Sequence, residues 1–445
     1  MRQTVTIIGG GLAGAEAAWQ VAQRGIACVL CEMRPLRVTP AHRTDRLAEL
    51  VCSNSLKTDQ PDTAPWLLKE ELRRFESFLM RVAAEARVPG GHALTVDREV
   101  FAEAVSRDIL AEPLIEVRRE EVSRIPMGIV VVASGPLTAD ALAVEIARLT
   151  GSERLYFYDS ISPIVAADSI DMSLAFRASR WGRSIDGTDD YLNCPLDRQQ
   201  YEAFVDALLA GQSVPAHIEA DSVCYFEGCL PIEEIARRGR DTLRFGPMKP
   251  AGLVDPRTGR WPYAAVQLRQ ENLRSDSYNL VGFQNHLRFG EQRRILRMIP
   301  ALRNAEFLRY GQIHRNTYIN APSLLTATLQ LRREPRILFA GQISGVEGYV
   351  ESIATGLVAG RNAAALALGQ QPRAVPRETA MGSLCHYISG ADPENYQPAN
   401  IAFDLLPPLD EETRRRFRHD KRARHAEVCR RALESLDEYL DTVTV

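Results

Sequence analysis

The sequence lacks both a long apolar run and a strong excess of one charge. No stretch approaches about 18 consecutive apolar residues, so we expect no membrane-spanning helix. The formal net charge is −3 over 445 residues, so a nucleic acid would have to be met by a local basic surface rather than by the whole protein. The first residues enter an apolar strand and show none of the features of a signal peptide, which predicts a cytoplasmic protein.

Cysteine is scarce, and its spacing does not match the usual zinc patterns. The chain has 8 cysteines but no pair of CxxC clusters and no CxxC…HxxxH spacing, so we expect no metal site. A reducing compartment disfavours structural disulfides. The one CxxC, Cys28 to Cys31, lies in an alternating apolar stretch, and we interpret both residues as strand core rather than as a redox pair.

A glycine-rich turn between a strand and a helix is the first positive signal. The G-x-G-x-x-G pattern directly follows the apolar residues 5–8 and opens an alanine-rich helix predicted over 12–24. A second strand ends at Glu32, where a carboxylate can accept hydrogen bonds from ribose hydroxyls. This context predicts a dinucleotide site; a glycine-rich turn without a ligand is the alternative. The predicted contacts are Gly9, Gly10, Gly11, Leu12, Ala13, Gly14 and Glu32.

A second strand–glycine–helix segment, late in the chain, favours FAD over NAD. Residues 337–340 form an apolar strand, which is followed by Gly341, Gly345 and Gly348 and by another alanine-rich helix. A large dinucleotide whose far half is held by the returning chain accounts for this arrangement. Tyr349 follows the last glycine. Its ring could stack on the isoalloxazine or on a folate, or it could simply pack against the protein, and the sequence favours neither alternative.

These segments predict an α/β fold in which an FAD-binding Rossmann-like domain is interrupted by an inserted α+β domain. The expected divisions are residues 1–160 for the first part of the FAD-binding domain, 161–325 for the insertion, and 326–445 for the second part with its basic C-terminal helix. Three amphipathic helices are predicted to begin at the polar caps Asp97, Thr138 and Asp197.

Several longer motifs together resemble one family. They are AELVCSNSL (48–56), YFEGCLPIEEIARRG (225–239), TLRFGPMKPAGLVDPRTG (242–259), HRNTYINAP (314–322) and GVEGYVESIATG (345–356). Over residues 1 to about 430 the chain resembles the folate- and FAD-dependent tRNA (uracil-5-)-methyltransferase family known as TrmFO, a relative of the larger GidA proteins.

The resemblance implies a GidA-like fold, a reaction and its participants. 5,10-Methylenetetrahydrofolate would give a methylene group to C5 of a T-loop uridine of tRNA (uridine 54). Reduced FAD would convert that group to methyl, and NADH or NADPH would recharge the flavin. No obligatory protein partner is implied.

The same motifs place the two important cysteines of the family on Cys52 and Cys229. One thiolate would add to C6 of uracil, which makes C5 nucleophilic, and the other would act as acid or base. The sequence leaves the two roles open, although the position of Cys229 in the insertion favours it as the nucleophile. A cysteine taken singly is more often a small buried hydrophobe.

Substrate contacts are predicted from composition alone. His314, Arg315 and Asn316 could supply hydrogen-bond donors for a pterin and a cation for a glutamate tail, or could form an ordinary polar loop. Arginine-rich residues 414–431 and a second set over 288–315 could meet tRNA phosphates, or could simply be solvated.

Three alternatives stay open at this point. The first is flavin-dependent modification of a wobble uridine, as in GidA. The second is a flavin disulfide reductase or oxidase that uses Cys28 and Cys31. The third is an RNA-binding flavoprotein in which FAD is only a structural support.

Overall fold

The computed structural model of the chain describes residues 3–39, 41–151, 155–160, 162–185, 187–214, 230–311 and 313–443. In chain order the strands are β1 (Val5–Ile8), β2 (Cys28–Glu32), β3 (Ser55–Thr58), β4 (Arg87–Val88), β5 (Ala93–Val96), β6 (Ile115–Arg119), β7 (Ile129–Val132), β8 (Leu155–Ser160), β9 (Ile164–Ala166), β10 (Phe176–Arg177), β11 (Tyr191–Leu196), β12 (Ala264–Gln270), β13 (Ser277–Leu280), β14 (Phe307–Arg309), β15 (Ile313–Tyr318), β16 (Gln330–Leu331) and β17 (Glu334–Phe339). The α-helices are α1 (Leu12–Ala22), α2 (Ala64–Arg74), α3 (Phe78–Glu85), α4 (Arg98–Ala111), α5 (Asp140–Thr150), α6 (Arg198–Leu209), α7 (Ile232–Arg237), α8 (Thr242–Phe245), α9 (Phe289–Leu296), α10 (Ala321–Leu324), α11 (Tyr349–Ala367), α12 (Ala380–Gly390), α13 (Glu411–Arg416) and α14 (Lys421–Val443).

A six-stranded, mainly parallel sheet organises the dinucleotide-binding part. Its strand order is β16-β17-β7-β1-β2-β6, and Val5 of β1 lies opposite Cys28 of β2 on one side and Ile129 of β7 on the other. Nearly every residue of β1, β2 and β7 is buried, as a parallel sheet covered on both faces requires. The late strand β17 joins the same sheet beside β7. This arrangement confirms the predicted α/β, Rossmann-like fold class.

Two helices cross this sheet in unusually close contact. A Cβ atom added at Gly356 of α11 would lie 2.3 Å from the carbonyl oxygen of Ala13, and one at Gly360 would lie 2.6 Å from that of Ala17. Small residues spaced four apart on both helices therefore let the backbones of α1 and α11 touch. The contact runs the two helices in the same direction and places the N-terminus of α1 beside the third turn of α11.

A second, antiparallel six-stranded sheet has the order β10-β11-β12-β13-β9-β14. Its apolar side packs on α6, α7 and α9 around a separate core that includes Leu192, Phe204, Leu268 and Phe283. Strands β8 and β15 pair with each other and lead into and out of this sheet, because β9 follows β8 and β15 follows β14. A small three-stranded sheet, β3-β5-β4, lies directly after the cysteine segment of residues 49–54.

Two of the three predicted caps are confirmed. Asp97 accepts hydrogen bonds from the backbone N–H groups of Glu99 and Val100, and Asp197 forms a capping box with Gln200. The prediction for Thr138 is wrong. Helix α5 follows Ala139 without a side-chain cap, because the Thr138 hydroxyl instead donates to the carbonyl oxygen of Gly135 at 2.8 Å.

The basic C-terminal segment is partly a packed element. Helix α14 buries Val428, Cys429, Ala432 and Leu436 against the main core, and Arg74 of α2 donates to the Leu433 carbonyl at 3.2 Å. Its Arg430 pairs with glutamates of the same helix, which leaves less of its charge for a ligand. Among the described ranges, no helix is long and apolar enough to cross a bilayer.

Candidate active site

The turn between β1 and α1 opens into a groove. Gly9 has φ +105°, and a Cβ there would lie 2.4 Å from the Ala133 carbonyl oxygen, so only glycine fits. Gly14 meets the same limit, because its Cβ would lie 1.8 Å from the carbonyl oxygen of Gly9. Gly11 is different: a Cβ there would have no heavy atom within 4 Å. Gly9 and Gly14 therefore serve the fold, whereas Gly11 faces the space that a ligand would fill.

Glu32 lies on the wall of this groove and is held rigidly. Its two carboxylate oxygens accept hydrogen bonds from the Gly10 N–H at 2.9 Å, the Arg34 N–H at 3.0 Å and Arg34 Nε at 2.8 Å. Burial alone would favour the neutral acid, but the hydrogen bonds and the charge of Arg34 outweigh it and lower the pKa of Glu32. The residue is therefore an anionic acceptor that can take a ribose hydroxyl on its remaining lone pairs.

The second glycine segment reaches the groove only in part. Gly341 and Tyr349 line it, together with Gln342 and Ser352. Gly345 instead makes room for the buried Tyr396, whose hydroxyl oxygen would lie 2.2 Å from a Cβ at that position.

Gly348 precedes α11 with φ +116° and meets a buried ion pair. A Cβ there would lie 2.3 Å from Glu351 Oε2. The carboxylate of Glu351 accepts from Lys57 Nζ at 2.6 Å and ties α11 to β3. Of the three predicted glycines, only Gly341 lines the groove.

Further groove residues come from segments that the sequence analysis did not single out. They are the turn after β7 (133–139), the chain after β6 (120–122) and parts of the segment 33–51. The first of these contains the short motif ASGP (133–136), which directly follows β7. The other two carry no glycine pattern, and only the parallel pairing of β2 with β1 and with β6 brings them to the groove.

Tyr349 connects the groove to Cys52. Its hydroxyl oxygen accepts hydrogen bonds from the backbone N–H groups of Cys52 at 2.9 Å and Ser53 at 3.0 Å. Burial and the neighbouring Cys52 raise the pKa of Tyr349, so the phenol stays protonated at neutral pH. The structure therefore shows a role that the sequence analysis did not predict: this side chain orients the cysteine loop.

Three arginines, which we call the arginine cradle (Arg98, Arg269 and Arg309), complete the surroundings of Cys52; Arg269 and Arg309 are buried and Arg98 is half-buried. Arg98 Nη1 donates to the Leu50 carbonyl at 3.0 Å and Arg309 Nη1 to the Val51 carbonyl at 2.9 Å. Arg269 Nη2 donates to the Ser53 hydroxyl at 2.8 Å. The guanidinium groups thus bind the residues before and after Cys52. They come from three separate elements, α4, β12 and β14.

The cradle carries an unbalanced positive charge. Arg98 pairs with Glu271, but within the described residues Arg269 and Arg309 have no carboxylate at ion-pair distance. Burial, with the charges of Arg98 and Arg43, lowers the pKa of Arg309 to about 10, which still leaves it charged at neutral pH. Cys52 is the smallest of the influences that raise the pKa of Arg98, and at Arg269 and Arg309 it only partly offsets the lowering of the pKa by burial. Such surroundings favour a thiolate, the reactive form of cysteine.

The other described cysteines differ from Cys52. Cys52 is a partly exposed thiol, whereas Cys28, Cys31 and Cys194 are buried thiols, and desolvation raises the pKa of each to about 12. The interpretation of Cys28 and Cys31 as strand core is thereby confirmed, since both lie in the buried strand β2 and form no disulfide. Cys229, the other predicted catalytic residue, lies outside the described residues.

The predicted folate segment lies on β15, which returns from the antiparallel sheet towards the groove. Asn316 is buried on this strand. The side chains of His314 and Arg315 lie outside the described residues, so their predicted role stays a prediction. In the part of the chain that the structure describes, no cluster of three or more metal-ligating side chains occurs.

Comparison with solved structures first defines the class of protein. The structure of Aquifex aeolicus GidA in its form II crystal matches with a TM-score of 0.69, 16% identity, and coverage of 98% of this chain and 73% of that chain. The form I crystal gives a TM-score of 0.67 over 98% and 76% of the two chains, again at 16% identity. The family model described as "Glucose inhibited division protein A" matches residues 4–371. By fold and groove, the chain is a Rossmann-type dinucleotide-binding protein of the GidA class.

Sequence relatives narrow this class to one family. A protein of Solibacter usitatus is 72% identical over 99% of both chains, and one of Koribacter versatilis is 61% identical over 99% of both. A protein of Geobacter sulfurreducens is 55% identical over the full length of both. All three are named methylenetetrahydrofolate–tRNA-(uracil-5-)-methyltransferase TrmFO. The chain belongs to the TrmFO family, and the resemblance seen in its motifs is confirmed.

Proposed function

We propose that this protein transfers a one-carbon unit from 5,10-methylenetetrahydrofolate to C5 of a T-loop uridine in tRNA (uridine 54) and reduces it to a methyl group with FAD. The observation that carries the proposal is the placement of Cys52. A partly exposed cysteine is held beside a dinucleotide groove by Tyr349, within the arginine cradle. The names of the close relatives supply the substrate class.

The groove residues fit a dinucleotide with a flavin at one end. Gly11 leaves open space for a pyrophosphate at the start of α1, where backbone N–H groups and the helix dipole favour phosphate. Glu32 would accept ribose hydroxyls, and Gly341 with Tyr349 would hold the half nearer to Cys52. When bound and reduced, FAD supplies the hydride that converts the transferred methylene into methyl.

The chain itself must supply a nucleophile and a base. A thiolate that adds to C6 turns uracil into an enolate, and C5 can then bond to the methylene carbon as the first of that carbon's two bonds to the donor nitrogens breaks. A base next removes the C5 proton, and the second carbon–nitrogen bond breaks, which releases the donor and leaves an exocyclic methylene on C5. After reduction, departure of the thiolate restores the double bond between C5 and C6. Both cysteine roles depend on an accessible thiolate, which the arginine cradle favours at Cys52.

We propose that Cys52 and Cys229 divide these two roles, with Cys229 as nucleophile and Cys52 as acid or base. Cys52 is anchored through its own N–H and through both neighbouring residues, so its sulfur has little freedom to follow a moving ring. A proton-transferring group benefits from such a fixed position. The proposal includes NADH or NADPH as the reductant of the flavin, and His314, Arg315 and Asn316 as folate contacts. It requires no protein partner.

The test is methyl transfer with labelled methylenetetrahydrofolate, an unmodified tRNA transcript and NADPH. We expect Cys52→Ala and Cys229→Ala each to retain the yellow FAD absorbance and to lose methylation by at least a hundredfold. Cys194→Ala is the matched control, because that thiol is fully buried in the antiparallel sheet, and it should stay close to the wild type.

Trapping separates the two roles of the cysteines. A transcript with 5-fluorouridine at position 54 should form a covalent adduct with the variant that keeps the nucleophile and not with the other. Methylation that survives both alanine substitutions, or a purified protein without flavin, would contradict the proposal.

A further inference from the structure

Two tryptophans stand exposed on the antiparallel-sheet part of the molecule, away from the groove. Trp181 is 57% exposed and Trp261 is 49% exposed. Their rings meet edge to face, with centroids 5.2 Å apart and an interplanar angle of 86°. Tryptophan is usually highly buried, so a pair that leaves half of its surface in solvent needs an explanation beyond stability.

The backbone conformation at Trp181 keeps this pair of rings at the surface. Trp181 has φ 59° and ψ 23°, a left-handed conformation that is costly for a bulky residue. Its N–H donates to the Gly252 carbonyl at 2.8 Å, and its indole lies on Gly252, where a Cβ would come within 2.7 Å of the ring. Arg180 donates to the carbonyls of Lys249 and Ala251 at 2.6 and 2.8 Å. These bonds join the loop at residues 180–181 to the loop at residues 249–252. The strained conformation of Trp181 is therefore not compensated by burial of its ring, which stays 57% exposed.

The charges around the pair favour a polyanion. Arg183, Lys249 and Arg260 are exposed, and no carboxylate lies within ion-pair distance of them in the described part of the chain. Arg257 is balanced by Asp255, and the exposed Asp189 accepts a backbone N–H. Aromatic faces set among unpaired cations are the usual construction for binding an unstacked nucleobase together with its phosphates.

A continuous polar path leads from this surface to Cys52. Arg180 Nη2 donates to Gln267 Oε1 at 3.0 Å on β12. Two residues further along the same face of β12, Arg269 donates to the Ser53 hydroxyl beside Cys52. Residues two apart on a strand are separated by about 7 Å, so Arg180, the neighbour of Trp181, contacts the same face of the sheet as the arginine that holds the cysteine segment. One polynucleotide arm could therefore cover both.

We infer that Trp181 and Trp261 form a stacking platform for an unstacked base of the RNA substrate, outside the base that reacts. The inference rests on the proposed function for the identity of the RNA. It favours RNA over a second copy of this chain because the surface pairs aromatic rings with unbalanced positive charge, whereas a self-association surface would need a matching acidic patch.

The experiment measures tRNA binding by wild type, Trp261→Ala and Trp261→Tyr at one stated salt concentration. We expect Trp261→Ala to raise the Kd for tRNA about tenfold, while Trp261→Tyr, which keeps an aromatic face, stays within about threefold of the wild type. The same loss should appear in KM for tRNA rather than in kcat. Met127→Ala is the matched control, because Met127 is 87% exposed but lies just before β7 of the parallel sheet.

A second readout does not depend on methyl transfer. Trp fluorescence of the wild type should be quenched by the tRNA transcript, and Trp261→Ala should lose much of this quenching. An unchanged Kd in Trp261→Ala would overturn the inference, as would a change in sedimentation that shows the pair to be a contact between copies. Quenching that persists in a protein without methyl-transfer activity would contradict the proposed reaction and leave the platform supported.

Discussion

The hydroxyl of Tyr349 should control the order of the Cys52 loop. Tyr349→Phe removes one oxygen and keeps the ring, so it deletes the acceptor of two backbone N–H groups, at 2.9 and 3.0 Å, with little change in packing. A fully buried N–H left unsatisfied costs about 1–3 kcal/mol. Because Cys52 and Ser53 are only partly buried, water can reach them, and we expect a cost at the lower end for each N–H, about 1–2 kcal/mol in total.

Hydrogen exchange is the direct assay of this prediction. A local destabilisation of about 1.4 kcal/mol accelerates exchange of the amides of Cys52 and Ser53 about tenfold, while amides in β1 should not change. We also expect methyl transfer to fall because the sulfur is less well positioned. Tyr387→Phe is the control, since the Tyr387 hydroxyl only donates to the Gln397 carbonyl at 2.7 Å, away from the groove. Unchanged exchange at Cys52 together with unchanged activity would refute the reasoning.

Two further predictions concern the groove and its supports. Gly11→Ala should fold normally but lose FAD, because its Cβ enters only the ligand space; Gly14→Ala should fail to fold, because its Cβ would lie 1.8 Å from a backbone oxygen. FAD absorbance and circular dichroism distinguish the two, and a flavin-replete Gly11→Ala protein would contradict the pyrophosphate assignment. Lys57→Met leaves the fully buried carboxylate of Glu351 without its cation and should lower the free energy of unfolding by about 2–4 kcal/mol. Adding Glu351→Gln should recover part of that loss in urea titrations, and no recovery would argue against the ion pair as the cause.

Local patterns were sufficient for the parts of the fold in which neighbours in sequence are neighbours in space. β1 and the end of β2 at Glu32 lie where the glycine and apolar spacing predict them, whereas α1 ends at Ala22, two residues before the predicted end, and β2 begins only at Cys28. Asp97 and Asp197 cap helices because a cap bonds to residues two or three positions ahead. Thr138 shows the limit of this reasoning: a nearby carbonyl competed for its hydroxyl, and the helix began one residue later.

The glycines of the second segment also show which features local sequence predicts and which depend on a distant neighbour. Their number and order predicted a second approach of the chain to the dinucleotide, and Gly341 lies where that prediction puts it. Sequence could not separate it from Gly345 and Gly348, because what distinguishes them is the neighbour that each one faces. Gly345 faces the Tyr396 ring and Gly348 faces the ion pair of Glu351, and both neighbours are distant in sequence from the dinucleotide turn.

The sequence by itself determined the dinucleotide turn, the α/β class and the family, and it predicted Cys52 and Cys229 as the catalytic residues. Each of these depends on a contiguous motif, whose backbone geometry is set by interactions within about ten residues. Only the tertiary structure decided what surrounds Cys52, since Arg98, Arg269, Arg309 and Tyr349 come from four distant elements with no common spacing. Their meeting depends on how the antiparallel sheet, α4 and α11 come together around residues 50–53, and such packing is a property of surfaces that no single segment of sequence contains.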